Sequence, residues 1–308
     1  MGQQGRRGRP IARERRHTLY FLAETRAVAA VFLDTEVDMS AVLAHRDRQR
    51  AAGRRYSIVT YVLSAAAREL ARHPAANAVA RGRARPRVRR QPAVDVKLTL
   101  DRMLGGQRVV LSAVLPGADR ASLARLQEQV DHYTAGDPDR MPEFAGVRLL
   151  HRLPWLVGRW AFAREVRSLD RRSRRFGTLA VTSLGHRPVD GFHSQGGTTV
   201  TLGVGRVVDR AVVRAGQVAV APVMRLNLAF DHRVIDGAQA ADLLADIRDA
   251  LQRGPDRPAG SATADGQASR PVPPGLAAAQ LTAAPHAAAP PAASAPAAPS
   301  DMDAHDRA

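Results

Sequence analysis

The chain has 308 residues, 45% of them hydrophobic, enough for one substantial core and too many for a chain disordered throughout. It has no cysteine, which excludes disulfides, a thiol nucleophile and thiolate metal sites; no metal or metal ligand is expected. The formal charge of +17 rests on arginine, since Lys97 is the only lysine; with 4% aromatic residues no base-stacking platform is evident, and the excess reads as a solvated basic surface, not a nucleic-acid site.

In chain order, residues 1–16 are crowded with arginine and glycine and read as a basic flexible arm able to order against a partner subunit. Neither a signal peptide nor a stretch of membrane-spanning length is apparent, so a cytoplasmic location is expected. Residues 57–73 place Ile58, Val59, Val62, Leu63, Ala66 and Leu70 on one helical face, with Ser57 as cap and Pro74 as stop. Short strands are expected at 93–100 and 108–115, followed by a helix with Leu123, Leu126 and Val130 as its stripe.

Residues 144–175 break the rhythm. They carry Trp155 and Trp160 inside an arginine fringe. Such a basic amphipathic helix suits an anionic membrane surface, but packing on the chain's own domain or a neighbouring subunit is preferred, because Pro154 shortens any continuous helix. Strands return at 178–183, 198–204, 211–214 and 217–230, the last two joined as a hairpin across Ala215-Gly216. From 254 to 308 the chain is rich in Ala, Pro, Ser and Gly and predicts a disordered tail. The whole reads as α+β around one sheet spanning residues 17–253.

The chemistry gathers where the last strand ends. Met224, Leu226, Leu228 and Phe230 share one strand face; the run then stops on Asp231-His232-Arg233, crosses to Asp236-Gly237 and becomes an amphipathic helix. A histidine in such a tight connection, with a carboxylate four positions on and a glycine to relieve the turn, reads as a rigidly held base. H-x-x-x-D-G alone is a short pattern, and a structural His–Asp pair would produce it too.

The surroundings are more specific. "DHRVIDGAQAADLLADI" closely resembles the active-site signature of the dihydrolipoamide acyltransferase catalytic domain of the 2-oxoacid dehydrogenase complexes, which shares its fold with chloramphenicol acetyltransferase. "TEVDMSAVLAHRDR" (35–48), "AARELARHPAANAVARG" (66–82), "PGADRASLARLQEQV" (116–130), "FGTLAVTSLG" (176–185) and the run 201–237 resemble the same family in order, over roughly residues 20–253 with one interruption.

The resemblance implies a chloramphenicol acetyltransferase-like mixed sheet flanked by helices, forming a trimer or an assembly of trimers. It implies transfer of an acyl group between coenzyme A and a dihydrolipoyl or similar thiol. His232 matches the general base and Thr182 the hydroxyl that stabilises the oxyanion, with Ser183 beside it as the fallback on the substrate side. Asp236 matches an aspartate that pairs with an arginine and holds the histidine loop. Gly237 is read as backbone geometry next to the substrate. The histidine and the hydroxyl come from different subunits in the family.

Three departures stand out. No lipoyl or subunit-binding domain is recognisable, and Lys97 lies inside the catalytic match, so no covalently bound lipoyl group is expected on this chain and a lipoyl-bearing protein or dehydrogenase subunits are expected in trans. Residues 144–175 lengthen one connection. Residues 192–205 carry Gln195-Gly196-Gly197-Thr198 where the family has a proline-containing run. An idle oligomeric scaffold, or an acyltransferase acting on a small amine or hydroxyl, are the competing readings.

Overall fold

Alternation decides the centre of the sheet. In the computed structural model, which describes residues 11–82 and 85–256, Met224, Leu226, Leu228 and Phe230 are all buried on one face of a strand. The elements run α1 (Arg16–Thr25), β1 (Ala30–Asp38), α2 (Ser40–Ala51), α3 (Ile58–Arg72), β2 (Ala78–Arg81) and β3 (Arg87–Arg90). There follow β4 (Val96–Leu104), β5 (Gln107–Leu115), α4 (Leu123–Ala135), α5 (Ala145–Arg152), α6 (Trp155–Arg167) and α7 (Leu169–Phe176). The chain then forms β6 (Leu179–Ser183), β7 (Val200–Arg214), β8 (Gln217–Asp231) and α8 (Gly237–Arg253).

Six strands form one sheet in the order β1-β8-β7-β6-β4-β5. β6 runs parallel to both of its neighbours and the other pairs are antiparallel, so the sheet is mixed as expected. Helices α3, α4, α8 and α2 pack together and with the sheet, burying Leu63, Leu70, Leu126, Leu243 and Ile247 in one core with Leu98, Val181 and Leu202. Each such side chain contributes about 1.5–3 kcal/mol on leaving water. The cap on α3 is as predicted: Ser57 Oγ accepts from Thr60 N at 3.1 Å, and Gln127 of α4 locks the same turn by accepting from Ser57 N at 2.7 Å.

The strands predicted at 198–204 and 211–214 are one strand, β7, with a register shift between Val204 and Val207. Gly203-Val204-Gly205-Arg206 interrupts the apolar alternation, which made one strand look like two. The glycine is needed by its neighbour: a Cβ on Gly205 would stand 1.8 Å from the carbonyl oxygen of Asp190. The hairpin across Ala215-Gly216 forms as read, both residues having positive φ.

The 144–175 stretch is three helices. Leu153 ends α5 and Pro154 caps α6, so the proline is a corner. α6 packs its inner side on α1, where the Tyr20 ring lies 4.8 Å from Trp155 and its hydroxyl donates to the Trp155 carbonyl at 3.1 Å. Part of the stretch thus packs on its own domain. The outer side does not: Leu149, Leu156, Val157 and Trp160 are exposed.

Of the arm expected at 1–16, residues 11–16 are described. Arg13–Arg15 form a 3-10 turn and Arg16 opens α1, donating to the carbonyls of His151 and Leu153. This part is held by the chain itself. The tail expected from 254 lies outside the described residues from 257 on. Among the described residues no helix is long and apolar enough to cross a membrane.

Candidate active site

The backbone N–H of His232 donates to the Ala29 carbonyl at 2.8 Å, which pins the first turn residue after β8 to the start of β1. Its side chain is 47% exposed, its ring lies 5.5 Å from that of Phe230, and Nδ1 stands 3.5 Å from Asp236 Oδ1. With Nδ1 turned to the carboxylate, Nε2 is the nitrogen left to take a proton from a substrate. A second backbone bond, from Asp231 N to Thr199 O, fixes the strand end on its other side.

The expected pairing of Asp236 with an arginine is not found among the described residues. Asp236 is 83% exposed, sits at the N-cap of α8, and faces His232. The arginine contact that braces the loop belongs to Asp231. Its buried carboxylate accepts from Arg233 Nε at 2.9 Å and from an Arg233 terminal nitrogen at 2.6 Å, while Arg233 also donates to the Gly82 carbonyl at 2.7 Å. The aspartate before the histidine thus makes the arginine contact, while Asp236 closes the other end of the loop in a capping box with Gln239, whose Oε1 accepts from Asp236 N at 3.3 Å. Asp231→Ala is expected to cost about 2–3 kcal/mol, because it strands a guanidinium that is only 14% exposed. Chemical denaturation of both proteins checks this, and an unchanged midpoint would refute the bracing role.

Gly237 opens α8 without a positive φ, and a Cβ there would meet nothing within 4 Å. Neither the turn nor its surroundings require a glycine, contrary to the expectation that it relieves strain.

Thr182 and Ser183 end β6, two strands across the sheet from β8. Along β6 the side chains of Leu179 and Val181 enter the helix-side core, so Ser183 shares that side and Thr182 points to the opposite face. Ser183 lines a cleft of about 560 Å³ with Ser57, Leu98, Asp131, His186 and Arg206, and its Oγ accepts from Gly185 N at 3.4 Å. Thr182 is partly buried and stands in register with Thr99 on one side and Gly203 on the other.

The register also measures how far Thr182 is from His232. Thr182 pairs with Gly203 and Gly203 with Asn227, five residues before His232 on β8. At ~3.4 Å per residue and ~4.8 Å per strand, that is about 17 Å along the sheet and about 10 Å across it. The fold brings His232 and Asp236 together and keeps Thr182 on the order of 20 Å away within one chain.

Sequence reasoning missed two buried cations. Lys97 is buried, donates to the Gly196 carbonyl, and has its Nζ 4.6 Å from the centre of the Phe21 ring and 5.1 Å from that of Phe176. Arg172, also buried, donates to the Gly197 carbonyl at 2.9 Å and stacks on Phe176. Burial, and secondarily the Arg172 charge, pushes the Lys97 ammonium down to about 7. Phe21 lies on α1, and Arg172 and Phe176 on α7, so the segment at 144–175 and the turn at 195–198 contact each other: one grips the other. The signal available was a lysine in the strand-like run "VDVKLTL". Among the described residues no group of three or more His, Asp or Glu side chains is arranged to hold a metal ion.

Comparison with known proteins gives the following. Residues 163–257 match the family described as 2-oxoacid dehydrogenases acyltransferase (catalytic domain). The dihydrolipoyllysine-residue acetyltransferase component of the pyruvate dehydrogenase complex of Bacillus subtilis is 51% identical over 47 residues, which are 15% of this chain and 11% of that protein. The dihydrolipoyllysine-residue succinyltransferase component of the 2-oxoglutarate dehydrogenase complex of Bartonella vinsonii is 32% identical over 77 residues, 25% of this chain and 16% of the relative. The matched stretches thus span only a small part of these relatives. Among solved structures, a probable dihydrolipoamide acetyltransferase from Listeria monocytogenes superposes with a TM-score of 0.60 at 18% identity, covering 83% of this chain and 98% of that one. The cubic core of the pyruvate dehydrogenase multienzyme complex gives 0.59 at 20% identity, over 80% and 91%. The fold is that of these acyltransferase cores.

Proposed function

We propose that this chain, whose residues 163–257 match the 2-oxoacid dehydrogenase acyltransferase catalytic-domain family, moves an acyl group between coenzyme A and a dihydrolipoyl or similar thiol. The observation that carries this reading is His232: half-exposed, with Nδ1 on Asp236, on a loop braced by Asp231 and Arg233. His232 Nε2 takes the thiol proton as the sulfur attacks the thioester carbonyl. One carbon–sulfur bond forms, and the carbonyl oxygen becomes an oxyanion. As the intermediate collapses, the other carbon–sulfur bond breaks and the imidazolium returns the proton to the departing thiolate. No acyl-enzyme is formed, so Thr182 acts as hydrogen-bond donor to the oxyanion and not as nucleophile.

The distance between Thr182 and His232 supports a site shared by two subunits, as in a trimer or an assembly of trimers, with the histidine of one chain facing the hydroxyl of the next. Acceptor thiols are carried by a lipoyl-bearing protein in trans, and the half-exposed His232 side chain is open to such an arm.

The test offers acetyl-, succinyl- and branched-chain acyl-coenzyme A to the purified protein with free dihydrolipoamide. Turnover of at least one donor is expected; none from any of them, by a folded oligomer, refutes the reading. Thr182→Ala is expected to lower turnover by about 10²- to 10³-fold. Co-refolding Thr182→Ala with His232→Ala chains in equal amounts is expected to restore about a quarter of the sites, the share in which an intact histidine meets an intact hydroxyl at random. Mixtures no more active than the separate variants would place both groups in one chain.

A further inference from the structure

The outer side of α5 and α6 is unused by everything described so far. Leu156 and Trp160, one helical turn apart, are 75% and 62% exposed, with Val157 between them in sequence also exposed, as is Leu149 on α5. The inner side is fixed by Tyr20, which packs against Gly158 and lies 4.8 Å from Trp155. The exposed side chains therefore serve no packing purpose inside the chain. Contiguous apolar exposure of this kind marks a contact surface.

The charges beside the patch say what kind. Arg152 and Arg159 are exposed, and Arg164 lies over the Trp160 ring at 5.6 Å. Among the described residues none of the three is paired with a carboxylate, whereas Arg167, Arg171 and Arg175 are paired with Glu24 and Glu165. A second copy docking through this face across a two-fold axis would bring the same arginines opposite one another, which opposes association. A negatively charged surface would neutralise them. Tryptophan favours the boundary between an apolar phase and water, and arginine favours phosphate. α6 has 13 residues, about 20 Å of helix, enough to lie in a headgroup layer and too short to cross a bilayer.

We propose that the outer face of α5 and α6 is a peripheral docking surface for an anionic phospholipid bilayer, with Leu156 and Trp160 inserted among the headgroups and Arg152, Arg159 and Arg164 on the lipid phosphates. It is independent of the acyl-transfer reading.

The full chain is incubated with vesicles of equal parts phosphatidylserine and phosphatidylcholine, and with vesicles of phosphatidylcholine alone. The protein is expected to sediment with the anionic vesicles only, and brominated acyl chains in those vesicles are expected to quench its tryptophan emission. Leu156→Glu/Trp160→Glu is expected to weaken sedimentation at least about tenfold, since it removes the inserted apolar groups and adds repulsion. Both positions are solvent-facing, so circular dichroism should be unchanged. The inference is overturned if the wild type does not bind, if it binds neutral vesicles equally, or if bromine does not quench. It is also overturned if the double variant binds as well as the wild type, or if Arg87→Glu/Arg90→Glu abolishes binding that the double variant retains. A change of oligomeric state in the double variant without loss of quenching would assign the face to a second copy.

Discussion

Exchange of His232 for alanine is expected to lower acyl-transfer turnover by about 10²- to 10⁴-fold, with a smaller effect on KM. The proposed reaction has no covalent stage at which another residue could substitute, so the loss should reflect the whole contribution of the base. The fold should survive. The histidine side chain is 47% exposed, and the loop is held by the backbone bond to Ala29 and by the Asp231–Arg233 pair, none of which involves the imidazole. Turnover and thermal unfolding measured together separate the two. A second signature follows from the chemistry: as pH rises through the thiol's own pKa, the substrate ionises without help, and the deficit of the variant should narrow. A deficit constant across that range would mean that His232 orients the site and does not take the proton.

Replacing Lys97 by methionine is expected to stabilise the protein below neutral pH by on the order of 5 kcal/mol and to do little above pH 10.5. The ammonium is pushed from 10.5 down to about 7 by burial and by Arg172, and the groups around it are the rings of Phe21 and Phe176 and the Gly196 carbonyl. The sign follows from proton counting. Between about pH 7 and 10.5 the unfolded lysine keeps a proton that the folded one has lost, so wild-type stability rises with pH across that window. Below pH 7 both forms are charged, and the folded state carries the full cost of a buried ammonium. The fall from 10.5 to about 7, at about 1.4 kcal/mol per pH unit, sets the magnitude. Methionine keeps the stem and drops the charge. Denaturant midpoints at pH 6 and pH 10 test this: parallel curves for the two proteins would show that the lysine does not titrate in that range.

What was legible in the sequence follows from how local its causes are. The His232 loop was legible because a two-residue alternation stops abruptly and a helical period starts five residues later, and α3 because its apolar face and its Ser57 cap are written in consecutive residues. β1 and α2 were recognisable only through the family resemblance, since "AVFLDTEVD" has a burial pattern of edge and solvent with only Val37 fully enclosed. The β2–β3 ribbon was missed because Arg87, Val88, Arg89 and Arg90 are all exposed and carry no face-to-face contrast. Asp231 was overlooked as the loop's brace because its partner, Arg233, is two residues away and reaches back to Gly82, a contact no periodicity encodes. Lys97 occupies the strand face opposite Leu98 and Val96; that face becomes interior only because α1 and α7 cover it, one from more than seventy residues before and the other from as many after.

Under the proposed acyl transfer, the burial of Lys97 has a chemical consequence. Thioesters slowly acylate free amines, and the neutral ε-amino group of lysine is the usual victim on protein surfaces. Along these 308 residues the single ε-amino group is enclosed between two phenylalanine rings, and the positive charge at the surface is carried by guanidinium groups that stay protonated and unreactive. The folded chain can stand in a pool of reactive thioesters and keep its lysine unmodified.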